Sequence, residues 1–275
     1  QAGLQALDKY GVRLVEADGH ETAYPVQVTH NPSDCVGVRN ALVLVKSWGT
    51  ERAAHQLSTC LAPDGIALTL QNGLGNQEVL VKELGAQRVA LGVTTLGATL
   101  LEPGRARVAG NGVVSLGEHP RSSTLANMLS NAGITTEITS DTAALQWGKL
   151  VISATINPLT ALLGVPNGEL LERQFATALM GMIANETAQV ASKAGIQLPY
   201  PDPLAAVEKV ARQTASNFSS MLQDIRRGTP TEIDAICGAI VQVGRQVTVE
   251  TPLNATLWHL IKALQTQTTG IITNP

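Results

Sequence analysis

The chain has 275 residues, of which 44% are hydrophobic, 15% charged and 3% aromatic, a composition sufficient for one large globular domain or two ordinary ones. Its net charge of -3, and aromatics that are not interleaved with lysine or arginine, argue against a nucleic-acid partner. No apolar run reaches the ~18 residues of a membrane span, and the opening QAGLQALDKYG lacks a signal peptide's apolar segment, so the chain reads as a soluble protein with no membrane partner.

From Gly11 to about Thr139, short β-rich runs alternate with turn residues and helical stretches, the pattern of an α/β domain. The predicted strands are VRLVEA at 12–17, YPVQVT at 24–29, ALVLVK at 41–46, GIALTL at 65–70, VALGVTTLGAT at 89–99, VVSLGE at 113–118 and ITTEIT at 134–139. ALVLVK is apolar on both faces until its last residue, as an interior parallel strand is. TERAAHQLSTCLA and NQEVLVKELG carry apolar residues at helical spacing and read as the crossovers that parallel strands require. From Asp141 onward, TAALQWGKLVISATINPLTALLG, QFATALMGMIANETAQVASKAG, DPLAAVEKVARQTA and PTEIDAICGAIVQVGRQV are long helical patterns without alternation. The predicted architecture is α/β followed by all-α, with a boundary near 140 and a loose tail, QTQTTGIITNP.

Cys35, Cys60 and Cys237 are far apart with no Cys-x-x-Cys spacing, and the five histidines show no i, i+4 pair. Neither a disulfide framework nor a metal centre is expected, and the setting reads as reducing and cytoplasmic.

Ligands of parallel α/β sheets bind outside the carboxyl ends of the strands. Lys46 ends ALVLVK, and QNGLGNQ at 71–77 follows GIALTL and opens a helix, so both sit at that edge. A glycine-rich turn at a helix N-terminus favours anions, although Asn-Gly is also an ordinary turn signal. In the helical half, Lys149, Ser153 and Asn157 fall at i, i+4 and i+8 and form a polar stripe beside Leu150, Val151, Ile152, Ile156 and Leu159. Pro158 is expected to kink or end that helix at Asn157. Spacing alone leaves two readings of Lys149: an ammonium that snorkels to solvent, or a partly desolvated one with a lowered pKa that donates a proton to a carbonyl oxygen. Asn217, Ser219 and Ser220 either hold a small polar ligand or cap the next helix. Glu232, after Thr229-Pro230-Thr231, resembles an acid in a first helical turn. With no Gly-x-Ser-x-Gly, hydrolysis by a nucleophilic serine gets little support.

The order of these signals is more specific than any one of them. KSW at 46–48, QNGLGN at 71–76, W-x-K-x(7)-NPLTAL at 147–162, PNGEL at 166–170, SSMLQDIRRGTPTEID at 219–234 and TPLN at 251–254 together resemble the ketopantoate reductase (2-dehydropantoate 2-reductase) family over nearly the whole chain. The resemblance implies a Rossmann-like dinucleotide-binding domain over 1–140 and a helical substrate-binding and catalytic domain over 141–275. It implies reduction of a small 2-keto acid, ketopantoate, to pantoate with NADPH, on the route to pantothenate and coenzyme A. It further implies Lys149 as general acid and Glu232 as the second catalytic residue. Asn157, Asn167, Asn217 and Ser220 match positions that hold the substrate's hydroxyl and carboxylate, and Lys46 and Asn72 match positions that approach the cofactor. The chemistry suits an ammonium, which stabilises the charge a hydride leaves on a ketone oxygen more in the transition state than in the ground state. Gly and Ala recur in the helices, compatible with close packing within a subunit or across a homodimer.

Two departures from the family pattern stand out. Ser153 takes a place where many members carry asparagine; its shorter side chain with one donor is expected to reach substrate through water or not at all, which keeps another branched 2-keto acid open. The family's opening strand, G-x-G-x-x-G turn and helix also have no counterpart here, because QAGLQALDKYG matches a later segment. With them go the pyrophosphate cradle and the basic residue for the 2′-phosphate. The expectation is an incomplete version of a longer protein, since a sheet without that strand exposes unpaired edges. A complete chain would instead suggest a non-catalytic binding module, and the survival of Lys149, Asn157, Ser220 and Glu232 together counts against that.

Overall fold

The computed structural model describes residues 2–16, 18–108 and 112–270. The chain forms two compact units, one of residues 1–44, 51–70 and 79–142, the other of 45–50, 71–78 and 143–275. A single cut near 140 therefore leaves two short segments of the α/β half on the wrong side.

In the first unit, helices α1 (Ala2–Tyr10), α2 (Thr50–Cys60), α3 (Asn76–Leu84) and α4 (Ser122–Asn131) accompany nine strands among the described residues. These are β1 (Val12–Val15), β2 (Glu21–Tyr24), β3 (Val38–Val43), β4 (Leu61–Thr69), β5 (Val89–Thr94), β6 (Ala98–Glu102), β7 (Arg105–Val108), β8 (Val114–Gly117) and β9 (Thr136–Thr139). The main sheet has the order β3-β4-β5-β8-β9, parallel except between β5 and β8. α2 and α3 are the crossovers from β3 to β4 and from β4 to β5, as the periodicity predicts. Alternation along β4 splits the core in two. Ala67 faces a cluster with Ala54, Leu80 and Leu84 of α2 and α3, while Ile66, Leu68 and Leu70 face Leu116 and Leu125, the latter on α4. A sheet covered by helices on both faces is the Rossmann-like arrangement.

Three strand expectations need correction. The run at 41–46 is not an interior strand: β3 ends at Val43 and lies at the sheet edge, pairing with β4, and Leu42, Leu44 and Val45 are 48%, 60% and 44% exposed. Its apolar character on both faces reports composition, and nothing among the described residues covers the outer face. The run at 24–29 is not a strand; instead β1 and β2 form a hairpin pairing Val15 with Glu21, turning through Gly19 at φ 88°, and Pro25, lacking an N–H, follows its end. The run at 89–99 is two strands in different sheets, because the Thr94 hydroxyl accepts from the Leu96 N–H (3.1 Å) and turns the chain. β6 then joins β7, β1 and β2 in a second sheet of order β2-β1-β7-β6.

The second unit contains α5 (Thr142–Leu163), α6 (Gln174–Lys193), α7 (Pro203–Gln213), α8 (Ser220–Arg226), α9 (Ala239–Gln246) and α10 (Pro252–Gly270) around one core that includes Leu150, Val151, Met180, Ile183, Val207, Ile236 and Ile261. Two of the starts show how such helices are capped. α7 opens on Asp202, which accepts from the Ala205 N–H (3.0 Å), with Pro203 in the first turn. α10 borrows its cap: buried Glu186 of α6 accepts from the Leu253 N–H (2.9 Å), the Asn254 N–H (2.8 Å) and the Asn254 amide (2.8 Å). Those three donors are what make the carboxylate's burial tolerable. The expected loose tail is partly wrong, since α10 runs on to Gly270; residues 271–275 lie outside the described residues. No helix among the described residues is long and apolar enough to cross a membrane.

Candidate active site

α5 supplies the lysine. Around it, Trp147, Gly148, Leu150, Val151, Ala154, Thr155, Ile156, Pro158 and Leu159 are buried, whereas Lys149, Ser153 and Asn157 are half-buried, so the predicted polar stripe is an open line on an otherwise enclosed helix. Contrary to expectation, Pro158 does not end the helix, which continues to Leu163. Pro158 has no N–H for the Ala154 carbonyl. Packing of Ile156, Leu159 and Ala161 holds the segment helical, and the Thr160 hydroxyl donates to the carbonyls of Ile156 (2.9 Å) and Asn157 (3.0 Å).

Burial pushes the Lys149 ammonium down to about 8, while the negative charge of Glu232 pulls it the other way. The preceding residue, Gly148, is closely packed: a Cβ there would stand 2.7 Å from Pro199, and the Tyr200 hydroxyl donates to the Gly148 carbonyl (2.8 Å). Of the two readings of Lys149, the structure supports the desolvated one.

Glu232 is 5% exposed and just precedes a π-turn at Asp234–Gly238, which continues into α9. It stands at a helix start, as read from the sequence, but its carboxylate faces away from its own helix. It accepts from the Ser47 N–H (3.0 Å) and the Asn72 amide (3.3 Å), and Lys46 lies 3.6 Å away. The Lys46 ammonium is closer to Asp224 of α8, at 2.7 Å. Two segments therefore carry the polar contacts: 46–48 after β3, whose Trp48 indole also donates to the Pro230 carbonyl (3.3 Å), and the turn 71–75 after β4. That turn is fastened to the π-turn. The Leu74 N–H donates to the Ala235 carbonyl (2.9 Å), and Gly73, at φ 80°, leaves only 2.3 Å between that oxygen and the place of a Cβ. A π-turn shifts carbonyls out of the regular helical pattern, which suits such outside docking.

A second polar group joins Asn167 and Asn217. The Asn167 N–H donates to the Asn217 carbonyl (2.9 Å) and its amide to the Thr214 hydroxyl (2.9 Å), leaving the buried Asn167 Oδ1 without a protein donor. The alternative between ligand and cap divides between the serines. Ser219 is the cap of α8, accepting from the Leu222 N–H (3.1 Å), with its hydroxyl 2.7 Å from that of Thr160, while Ser220 is exposed. Direct contacts thus unite Lys46, Asn72 and Glu232; Lys149, Ser153 and Asn157 share one helix face; and Asn167 meets Asn217. Sequence reasoning missed Asp224 and the Ser47 N–H. An aspartate in the apolar run MLQDI was the available signal for the first; a backbone donor leaves none.

The turn at 71–75 has room beside it for part of a dinucleotide. A Cβ at Gly75 would have nothing within 4 Å, so the backbone leaves room there, and Asn72 offers amide groups beside it. Among the described residues no Gly-x-Gly-x-x-Gly turn is present, and no residue is assigned to a pyrophosphate.

Comparison with known proteins bears out the motif resemblance. The family model for ketopantoate reductase PanE/ApbA matches residues 1–121, and that for its C-terminal domain matches 141–265. The 2-dehydropantoate 2-reductase of Archaeoglobus fulgidus is 36% identical over 267 residues, spanning 95% of this chain and 86% of the relative. A crystal structure of a PanE/ApbA family ketopantoate reductase from Ralstonia eutropha JMP134 superposes with a TM-score of 0.91 at 29% identity, over 98% of this chain and 89% of that one. D-mandelate dehydrogenase, solved with NADH and anilino(oxo)acetate, gives a TM-score of 0.91 at 25% identity over the same shares, 98% and 89%. The chain belongs to the ketopantoate reductase family, with its Rossmann-like α/β domain followed by a helical domain.

Proposed function

We propose that this protein reduces 2-dehydropantoate (ketopantoate) to pantoate with NADPH in the cytoplasm, within pantothenate and coenzyme A biosynthesis. Residues 1–140 form the dinucleotide-binding domain and 141–275 the substrate-binding and catalytic domain. The observation that carries this reading is Lys149, half-buried on the open line of α5 and under the influence of Glu232.

The bound cofactor supplies a hydride to the carbonyl carbon. Lys149 holds the proton destined for the carbonyl oxygen: a group at about 8 is mostly charged at neutral pH yet yields its proton readily as negative charge develops nearby. Glu232, fixed by the Ser47 N–H and the Asn72 amide, keeps a negative charge in reach of that ammonium. Asn157, Asn167, Asn217 and Ser220 hold the substrate's hydroxyl and carboxylate, with the open Oδ1 of Asn167 as an acceptor for the hydroxyl, and Ser153 reaches the substrate through water. Lys46 and Asn72 approach the cofactor.

Ser153 favours a second reading, reduction of another branched or bulky 2-keto acid, and the D-mandelate dehydrogenase relative was solved with a bulky 2-oxo acid derivative. The test is NADPH oxidation with a panel of 2-keto acids, on the 275-residue chain and on the longest reading frame of its gene. Ketopantoate turnover that falls at least about 100-fold in Lys149→Ala is expected, the size of a lost proton donor. Equal turnover by Lys149→Ala overturns the mechanism; preference for another acid, restored toward ketopantoate by Ser153→Asn, selects the second reading.

A further inference from the structure

Two buried carboxylates, Asp224 at 6% exposure and Glu232 at 5%, share the single ammonium of Lys46, and they share it unequally: 2.7 Å to Asp224 Oδ2 against 3.6 Å to Glu232 Oε2. Glu232 is already served by neutral donors, the Ser47 N–H and the Asn72 amide. We propose that Asp224 is a positioning residue that draws the Lys46 ammonium nearer to itself than to Glu232, so that more of the charge of Glu232 remains directed at Lys149. The proposal rests on the reading of Lys149 as proton donor.

The argument is one of charge placement. The closer a cation stands to a carboxylate, the more it cancels of the field that the carboxylate exerts elsewhere. With Asp224 neutral, the remaining carboxylate beside Lys46 is Glu232, its longer ion-pair partner at 3.6 Å, and a lysine stem shortens such a pair by small torsions. Glu232, ahead of the π-turn, is the charge that bears on Lys149; Lys46 after β3 pairs with Glu232 and with Asp224 on α8, and the Tyr200 hydroxyl is tied to the carbonyl of Gly148, the residue before Lys149. Burial raises Tyr200 to about 12, so it stays neutral throughout the range in which Lys149 titrates. Lys46, Asp224 and Glu232 are then the charges that set the balance, and Asp224 decides which carboxylate Lys46 neutralises.

The test is a direct titration of Lys149 by 13Cε NMR on lysine-labelled protein, assigned by loss of the signal in Lys149→Ala. In Asp224→Asn the midpoint is expected to fall by about half a unit or more, and in Lys46→Met to rise, because Glu232 then faces Lys149 with no competing cation. In the double variant the midpoint stays close to that of Lys46→Met, since Asp224 has nothing left to hold. An equal fall in both backgrounds shows Asp224 acting on Lys149 directly and overturns the proposal, as does no fall in Asp224→Asn. Should Asp224→Asn not fold, an unmoved midpoint in Lys46→Met overturns it and a raised one supports it. None of these readouts needs turnover. Failure of the Lys149 reading shows separately, as full reductase activity in Lys149→Ala.

Discussion

Burial makes Lys149 bind its proton less tightly in the folded chain, where it is pushed down to about 8, than in the unfolded one, near the ordinary lysine value of 10.5. Between those values the unfolded state holds a proton that the folded state lacks, so stability rises with pH across that window, and at neutral pH the charged lysine destabilises the fold. Lys149→Met is therefore expected to raise the thermal unfolding midpoint at pH 7, by an amount equivalent to about 1 kcal/mol once solvent screening of a half-buried group is allowed for. Melts at pH 7 and pH 10.5 check this, with the gain shrinking at the higher pH. On the proposed mechanism, reduction is expected to slow as pH rises through about 8, as Lys149 loses its proton, which a pH profile of kcat checks. The stripe of Lys149, Ser153 and Asn157 was legible from 3.6-residue spacing, but the approach of Pro199 and Tyr200 to neighbouring Gly148 comes from about fifty positions away in sequence. No local pattern records that contact.

Element by element, the helices were easier to read than the strands. Amphipathic spacing located α5, α6 and α7, and α7 starts where Asp202 and Pro203 place it. Strand ends depended on single events, the Thr94 hydroxyl turning the chain or Pro25 following a hairpin, that hydrophobic pattern does not weigh. The π-turn was unreadable, because its widened geometry is selected by what docks on it. That docking is testable at Gly73, where a Cβ would meet the Ala235 oxygen at 2.3 Å and φ is 80°. Gly73→Ala is expected to lift the turn off the π-turn, destabilising the protein by about 1–3 kcal/mol for the strained backbone. Asn72 moves with it, so kcat falls alongside stability. Chemical denaturation and steady-state kinetics on the same preparation measure both, and a loss of stability with unchanged kcat would separate the turn from the chemistry.

At the scale of the whole molecule, fold class and helical second half followed from the change of pattern near residue 140, while strand order did not, since pairing is a matter of long-range contact. The clearest cost of that blindness was β3, read as interior and found at an edge with Leu42 half exposed. An open, apolar edge invites pairing with another chain. Leu42→Lys is expected to lower aggregation in light scattering at constant protein concentration while leaving the melting temperature within about 1–2 °C, since surface substitutions rarely exceed a few tenths of a kcal/mol. The composition of the helical unit also bears on how the protein can be divided. Residues 45–50 and 71–78 belong to it although they are threaded between the strands β3, β4 and β5. A fragment beginning at 141 therefore leaves behind the Ser47 N–H, the Asn72 amide and the Lys46 ammonium, and carries Asp224 and Glu232 as buried charges with those partners removed. What a gene map would draw as one interchangeable cassette is in space assembled from three pieces of chain, and the half-gene that encodes its largest piece cannot be transplanted alone.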